Sequence, residues 1–180
     1  MRALENFMAK ELVRVGRLSL VKGEVEHAHH IKDTLRVLDA RECFIHGFTP
    51  ERALTEPFYI LNSKTYTIML DDEPIAMCGT TPIDEKSGRV WMLGTEQINK
   101  NYIPFLKGCK KVIKTLQSNY ESIENYVPVD HSDTIMWLQW CGFSFDETLY
   151  EISGHTMMRF VRCVEKENNV YFLSERPVMH

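Results

Sequence analysis

No apolar run in this chain approaches the roughly 20 residues that a membrane-crossing helix needs. The start, Met1-Arg2-Ala3-Leu4-Glu5, leads into no uninterrupted apolar segment, which argues against a secretory signal. No two cysteines stand in a CxxC spacing. Cys43, Cys78, Cys109, Cys141 and Cys163 are odd in number and scattered, so they read as reduced thiols of a cytosol-like compartment. A basic excess is also missing, because the formal net charge is −4. General nucleic-acid binders gain affinity by neutralising phosphates, so this balance argues against nucleic acid as the primary ligand. Internal repeats and low-complexity tracts are absent too.

What remains is an ordinary globular composition over 180 residues, enough for one domain with a proper core. Leu4, Phe7, Met8, Leu12 and Val15 are spaced as one face of a helix, and residues 1–16 read as an amphipathic arm that must dock on something. Leu18 to Val21 alternates as a first strand, and Gly23 breaks it. Helical spacing follows over Glu24–Leu38 and Asp39–Ile45, closed by Gly47. Thr49-Pro50 is a strong start for a further helix to about Leu61, with Thr49 as cap and Pro50 in the first turn. Tyr66–Leu70 and Pro74–Thr80 form a hairpin around Asp71-Asp72-Glu73, and Arg89–Gly94 is the next strand. The longest helix spans 101–119, then come a strand at Ile123–Val129, a helix at Ser132–Cys141 stopped by Gly142, and strands at 143–150 and 156–164. Val170–Leu173 adds a short strand in the C-terminal extension, 165–180.

Two sets of residues carry a resemblance. The order of elements, with a strand feeding a long helix and a Gly142-Phe143 pair closing a short one, resembles the GCN5-related N-acetyltransferase (GNAT) fold over residues 17–164. The stretches Glu73-Pro74-Ile75-Ala76, Trp91-Met92-Leu93-Gly94-Thr95, Phe105-Leu106-Lys107, Glu124-Asn125-Tyr126-Val127 and Ile135-Met136-Trp137-Leu138, ahead of Cys141-Gly142-Phe143, resemble in their order and spacing the internal virion (core) proteins of short-tailed podophages, which share that fold. The resemblance implies a single α/β domain with a central mixed, mostly antiparallel sheet and helices on both faces. Its two parallel strands, Val90–Gly94 and Ile123–Val129, would splay apart to admit acetyl-CoA.

The chemistry implied by that fold is thinly supplied. The family holds the CoA diphosphate on glycine-rich backbone at the start of the long helix, where helix amides and dipole favour an anion. The matching stretch, Thr95 to Pro104, has no glycine, Pro104 removes a donor, and Gly108 lies a turn too deep. Leu93, Gly94, Thr95, Asn101 and Tyr102 are the cofactor-binding candidates there. The tyrosine that many members use to protonate the departing thiolate is replaced by Leu138, which cannot donate a proton. Tyr126, His131 and Glu96 are the surrogate catalytic candidates, with Tyr102 and Tyr150 as further hydroxyls. The ordinary expectation for His131 is a helix-start side chain facing solvent, and for Glu96 a surface carboxylate near a helix start.

His27, His29 and His30 cluster without metal-ligand spacing, so a solvated face is expected and no metal site. Lys107, Lys110, Lys111 and Lys114 form a basic stripe, read as the outer face of the long helix. The sequence therefore leads to the expectation of a phage virion or morphogenesis protein of the internal core or ejected set, present in the virion or the host cytoplasm. Its acetyl-CoA site would be degenerate, its partners other virion proteins, and self-association is open. The alternative is an active N-acyltransferase moving acetyl from acetyl-CoA to an amine.

Overall fold

The computed structural model describes residues 11–164. Leu4, Phe7, Met8 and the strand expected at Val170–Leu173 lie outside them. Eight strands form one sheet: β1 (Val13–Val15), β2 (Leu18–Lys22), β3 (Lys64–Leu70), β4 (Glu73–Pro82), β5 (Ser87–Gly94), β6 (Ser122–Pro128), β7 (Ser144–Ile152) and β8 (His155–Cys163). Their order is β1-β2-β3-β4-β5-β6-β8-β7. Every neighbouring pair is antiparallel except β5 with β6.

The helical spacing read over 4–15 does not hold at its C-terminal end. Gly16 adopts φ +60°, a left-handed conformation that glycine takes without a steric penalty. The resulting tight turn lets Val13–Val15 pair with Leu18–Leu20 as a hairpin. The helix read over 24–38 is also divided, into α1 (Val25–Ile31) and the start of α2 (Val37–Ile45). Its break has a tertiary cause: Leu35 bridges to Thr95 and the Arg36 N–H donates to the Gly94 carbonyl, so the end of β5 pulls residues 35 and 36 out of the helix.

α3 (Pro50–Thr55) begins as its sequence dictates, with the Thr49 hydroxyl accepting from the Arg52 N–H, and continues into a 3₁₀ turn at Glu56–Tyr59. α1, α2 and α3 cover one face of the sheet over Met77 and Leu93. On the other face lie α5 (Tyr102–Gln117), preceded by the single turn α4 (Gln97–Lys100), and α6 (Ser132–Trp140). Phe105, Cys109, Ile113 and Leu116 point from α5 into the core that contains Ile123, Val127 and Phe160. The four lysines of its stripe divide from these residues, Lys107, Lys110, Lys111 and Lys114 all being exposed. Lys110 Nζ sits 4.9 Å from the centre of the Trp140 ring, so that indole has a cation over its face. Trp137 turns inward and stacks on Phe105 at 5.8 Å.

Candidate active-site cleft

β5 and β6 pair only over Ser87–Arg89 and Ser122–Glu124, then diverge. Asn125 sits at the point of divergence. Its Nδ2 donates to the Val90 carbonyl at 2.8 Å, and its Oδ1 accepts the Tyr126 N–H at 2.9 Å. One side chain thus satisfies both strand edges where the ladder stops, as buried backbone groups require.

Alternation along β5 identifies what faces the gap. The Thr95 N–H turns to Ile75 of β4, so the odd-numbered backbone groups face β4 and those of Val90, Met92 and Gly94 face β6. Val90 is met by Asn125. The Gly94 N–H donates to Asp39 Oδ2 at 2.6 Å, and its carbonyl accepts from Arg36. That leaves the N–H and C=O of Met92, which have no hydrogen-bond partner among the described residues. Around them runs a largely apolar cavity of about 470 Å³, with Met92, Phe105, Val127, Trp137 and Leu138 in its wall. It crosses the sheet through the gap and emerges under α2.

α2 buries Cys43 and Ile45 but also turns polar residues inward. Val37 and Phe44 face outward, 82% and 61% exposed, whereas Asp39 is buried and Glu42, Cys43 and His46 line the cavity. These inward residues recur at helical spacing and span the gap. Asp39 holds the end of β5, Glu42 reaches the segment after β6, and His46 lies beside the Tyr126 carbonyl. Burial raises the Asp39 and Glu42 carboxyls, opposed at Asp39 by Arg36 and at Glu42 by His131. Burial, with Asp39 and Glu42 adding to it, pushes the Cys43 thiol up to about 12, so it is a neutral thiol. Burial, and then Arg89, lowers His46.

The residues singled out from sequence separate into two groups. His131 does not face solvent: it is 5% exposed, and its Nδ1 lies 2.7 Å from Glu42 Oε1. Its Nε2 is buried without a hydrogen-bond partner, 3.9 Å from Asp130 Oδ1. The ring is met by Glu42 from α2, 89 residues away in sequence, an arrangement no local pattern encodes. Tyr126 lines the cavity with its ring edge-on to Tyr150 at 5.1 Å, and the Tyr150 hydroxyl donates to Asp146. Glu96 is exposed and accepts from Asn99 at 2.7 Å, outside the cavity wall.

Of the cofactor candidates, Leu93 lines the cavity and packs beneath α1–α3. The donors of Gly94 and Thr95 are committed to Asp39 and Ile75, and the Thr95 hydroxyl accepts from Gln97. Asn101 donates its side-chain amide to the Gln97 carbonyl, and Tyr102 is half-exposed at the start of α5. Leu138 is buried. Sequence reasoning missed Asp39, Glu42 and His46. The readable signal was the placement of two acids and a histidine on one face of a helix whose other face is apolar.

The histidines at 27, 29 and 30 disperse. His27 bonds Thr67, while His29 and His30 approach Glu51 and Glu73. Among the described residues no group of three metal-ligating side chains converges, and no helix is long and apolar enough to cross a membrane.

No family model and no curated protein sequence matches this chain. Solved structures do. The ribosomal L7/L12 alpha-N-protein acetyltransferase RimL, in complex with coenzyme A, aligns with a TM-score of 0.64 at 11% identity, over 86% of this chain and 98% of its own. A GNAT-family acetyltransferase from Bacillus anthracis aligns with a TM-score of 0.64 at 11% identity, over 86% and 99%. A dodecameric spermidine N-acetyltransferase from Vibrio cholerae gives 0.59 at 15%, over 85% and 97%. The chain has the GNAT acetyltransferase fold.

Proposed function

We propose that this protein is an N-acyltransferase that moves an acetyl group from acetyl-CoA to an amine. The observation that carries the reading is the unpaired Met92 edge, set in an apolar gap between splayed strands with the charged face of α2 across its far mouth. An extended, amide-bearing arm can add to such an edge as a strand does. The Met92 N–H and C=O are the groups that would hold the pantetheine amides. The diphosphate would meet the first amides of α5, those of Tyr102 and Ile103, with Lys100 in the turn before them, in place of a glycine loop. Asn101 and Tyr102 stay with that role, Leu93 with the cavity wall, and Gly94 and Thr95 with shaping the end of β5.

Acetyl-CoA supplies an acyl group activated as a thioester. The chain excludes water from that group with Phe105, Val127, Trp137 and Leu138, and presents Tyr126 as a hydroxyl for the departing sulfur. The similar structures named for a protein α-amine and for spermidine favour an amine acceptor, and the dodecamer among them favours testing for self-association. A virion or morphogenesis role has no support among these similarities. The degenerate site expected from sequence rested on glycines and a tyrosine, whereas the strand edge needs neither. The test is thiol release from acetyl-CoA against a panel of amines. Amine-dependent release supports the reading, and none with any amine removes it.

A further inference from the structure

We propose that the donor site takes a medium-chain aliphatic acyl group, such as octanoyl, in an apolar chamber beneath α5, and not acetyl alone. The inference rests on the acyl-transfer reading and deepens it by naming the acyl group. The cavity does not end at the gap between β5 and β6. Cys78, the register partner of Met92 on β4, is in its wall, and so are Ile68 of β3, Leu20 of β2 and Val15 of β1. It therefore runs sideways from the Met92 edge, between α5 and the sheet. From Met92 to Leu20 it crosses three strand spacings, about 14 Å, the extent of a medium-length alkyl chain. An acetyl group on a thiol held beside Met92 fills only the start of that space.

The chemistry of the walls selects the occupant. The acidic and basic side chains of the cavity wall are Glu42, His46, Glu56 and Arg89, and none of them comes from α5 or from β1 to β4. Burial pushes the Cys78 thiol up to about 12, so it is neutral, and the Cys109 thiol donates to the Phe105 carbonyl at 3.2 Å. Water settles in a void only where polar groups hold it, and protein interiors normally close apolar voids. An alkyl chain needs no polar partner and is driven in by leaving water.

Gly108 carries the argument to a single residue. It lies buried in the middle of α5, where glycine weakens a helix relative to alanine. No close backbone contact demands it, since a Cβ there would meet only Val15 Cγ2, at 3.6 Å, an ordinary contact. The missing side chain leaves the cavity open toward β1. In the reaction the nitrogen pair of a neutral amine forms the N–C bond as the C–S bond of the thioester breaks. Sulfur leaves with that bond's electron pair, and the proton lost by nitrogen ends on the thiol of CoA.

The test is steady-state thiol release from acetyl-, hexanoyl-, octanoyl- and decanoyl-CoA, with whichever of benzylamine, spermidine and the α-amine of a hexapeptide the wild type uses. Octanoyl-CoA should give a kcat/KM about tenfold or more above that of acetyl-CoA, because each buried methylene adds to binding. Gly108→Leu, which fills the chamber, should remove most of that gain and change the acetyl-CoA rate little. Gly108→Ala adds one methyl at an ordinary contact distance, so it keeps the fold and should slow decanoyl more than hexanoyl transfer. No gain of octanoyl-CoA over acetyl-CoA overturns the chamber while leaving acyl transfer standing. An equal loss with long and short donors in both Gly108 variants overturns it too. A wild type that releases no thiol from any donor with any amine removes the acyl-transfer reading and the chamber together.

Discussion

Asn125 shows how much one side chain can decide. It replaces two missing ladder bonds at the vertex of the cleft, one on each strand. Truncation to alanine leaves a half-buried carbonyl and an N–H without partners, a penalty of about 1–3 kcal/mol. N125A should therefore lower the unfolding free energy read from urea denaturation by that much and weaken ligand binding. His46 gives a second expectation, with a definite sign. Burial lowers its pKa below 6.5, so as pH falls through 6.5 the unfolded chain takes up a proton that the folded one resists, and stability declines. His46→Asn should flatten that decline between about pH 7.5 and 5.5. Urea midpoints for both proteins at the two pH values measure it, the difference between them cancelling the other histidines. Asp39 and Glu42, raised by burial, contribute with the opposite sign at lower pH, where the folded state holds the extra protons.

α2 is the element where local reading and tertiary structure part. A helix that exposes Val37, Leu38 and Phe44 while turning Asp39 and Glu42 inward beside Cys43 and Ile45 departs from the usual rule for orienting amphipathic helices. The cause lies across the sheet, in the Gly94 N–H and carbonyl that Asp39 and Arg36 satisfy and in the ring of His131 that Glu42 holds. Replacing the outward residues, as in V37K/F44K, should shift stability by no more than about 0.5 kcal/mol each, since neither is buried. A loss several times larger in chemical denaturation would mean that this face is covered. The elements with strong punctuation were legible from sequence alone: Thr49-Pro50, the hairpin around Asp71, and the α6–Gly142–Phe143 stop. Gly142 takes φ +89°, as a helix-ending glycine should. Two readings failed because distant partners decided them, namely the strand after Leu12, which needs β2, and the break at Leu35, which needs the end of β5. The same reason hid the site. Tyr126 and His131 stood out by residue type, but the partner that gives His131 its setting, Glu42, is 89 residues away in sequence.

At the scale of the whole molecule, the sheet separates a layer of α5 and α6 from a layer of α1 to α3, and β5 and β6 part between them, where the proposed donor and acceptor would meet. Gly79 helps to keep β4 and β5 close there. A Cβ at this position would lie 2.3 Å from the Lys64 carbonyl and 2.8 Å from the Trp91 ring, so that indole lies flat on the strand. The central claim is that an extended thioester arm pairs with Met92. Calorimetric titration of the protein and of Met92→Pro with acetyl-CoA tests it most directly. Proline removes the N–H that points into the gap and no ladder bond to β4. The account predicts saturable binding to the wild type at micromolar concentration, about 8 kcal/mol, and at least tenfold weaker binding to a variant with unchanged circular dichroism. No saturable heat with the wild type, or equal affinity in the two proteins, would contradict it.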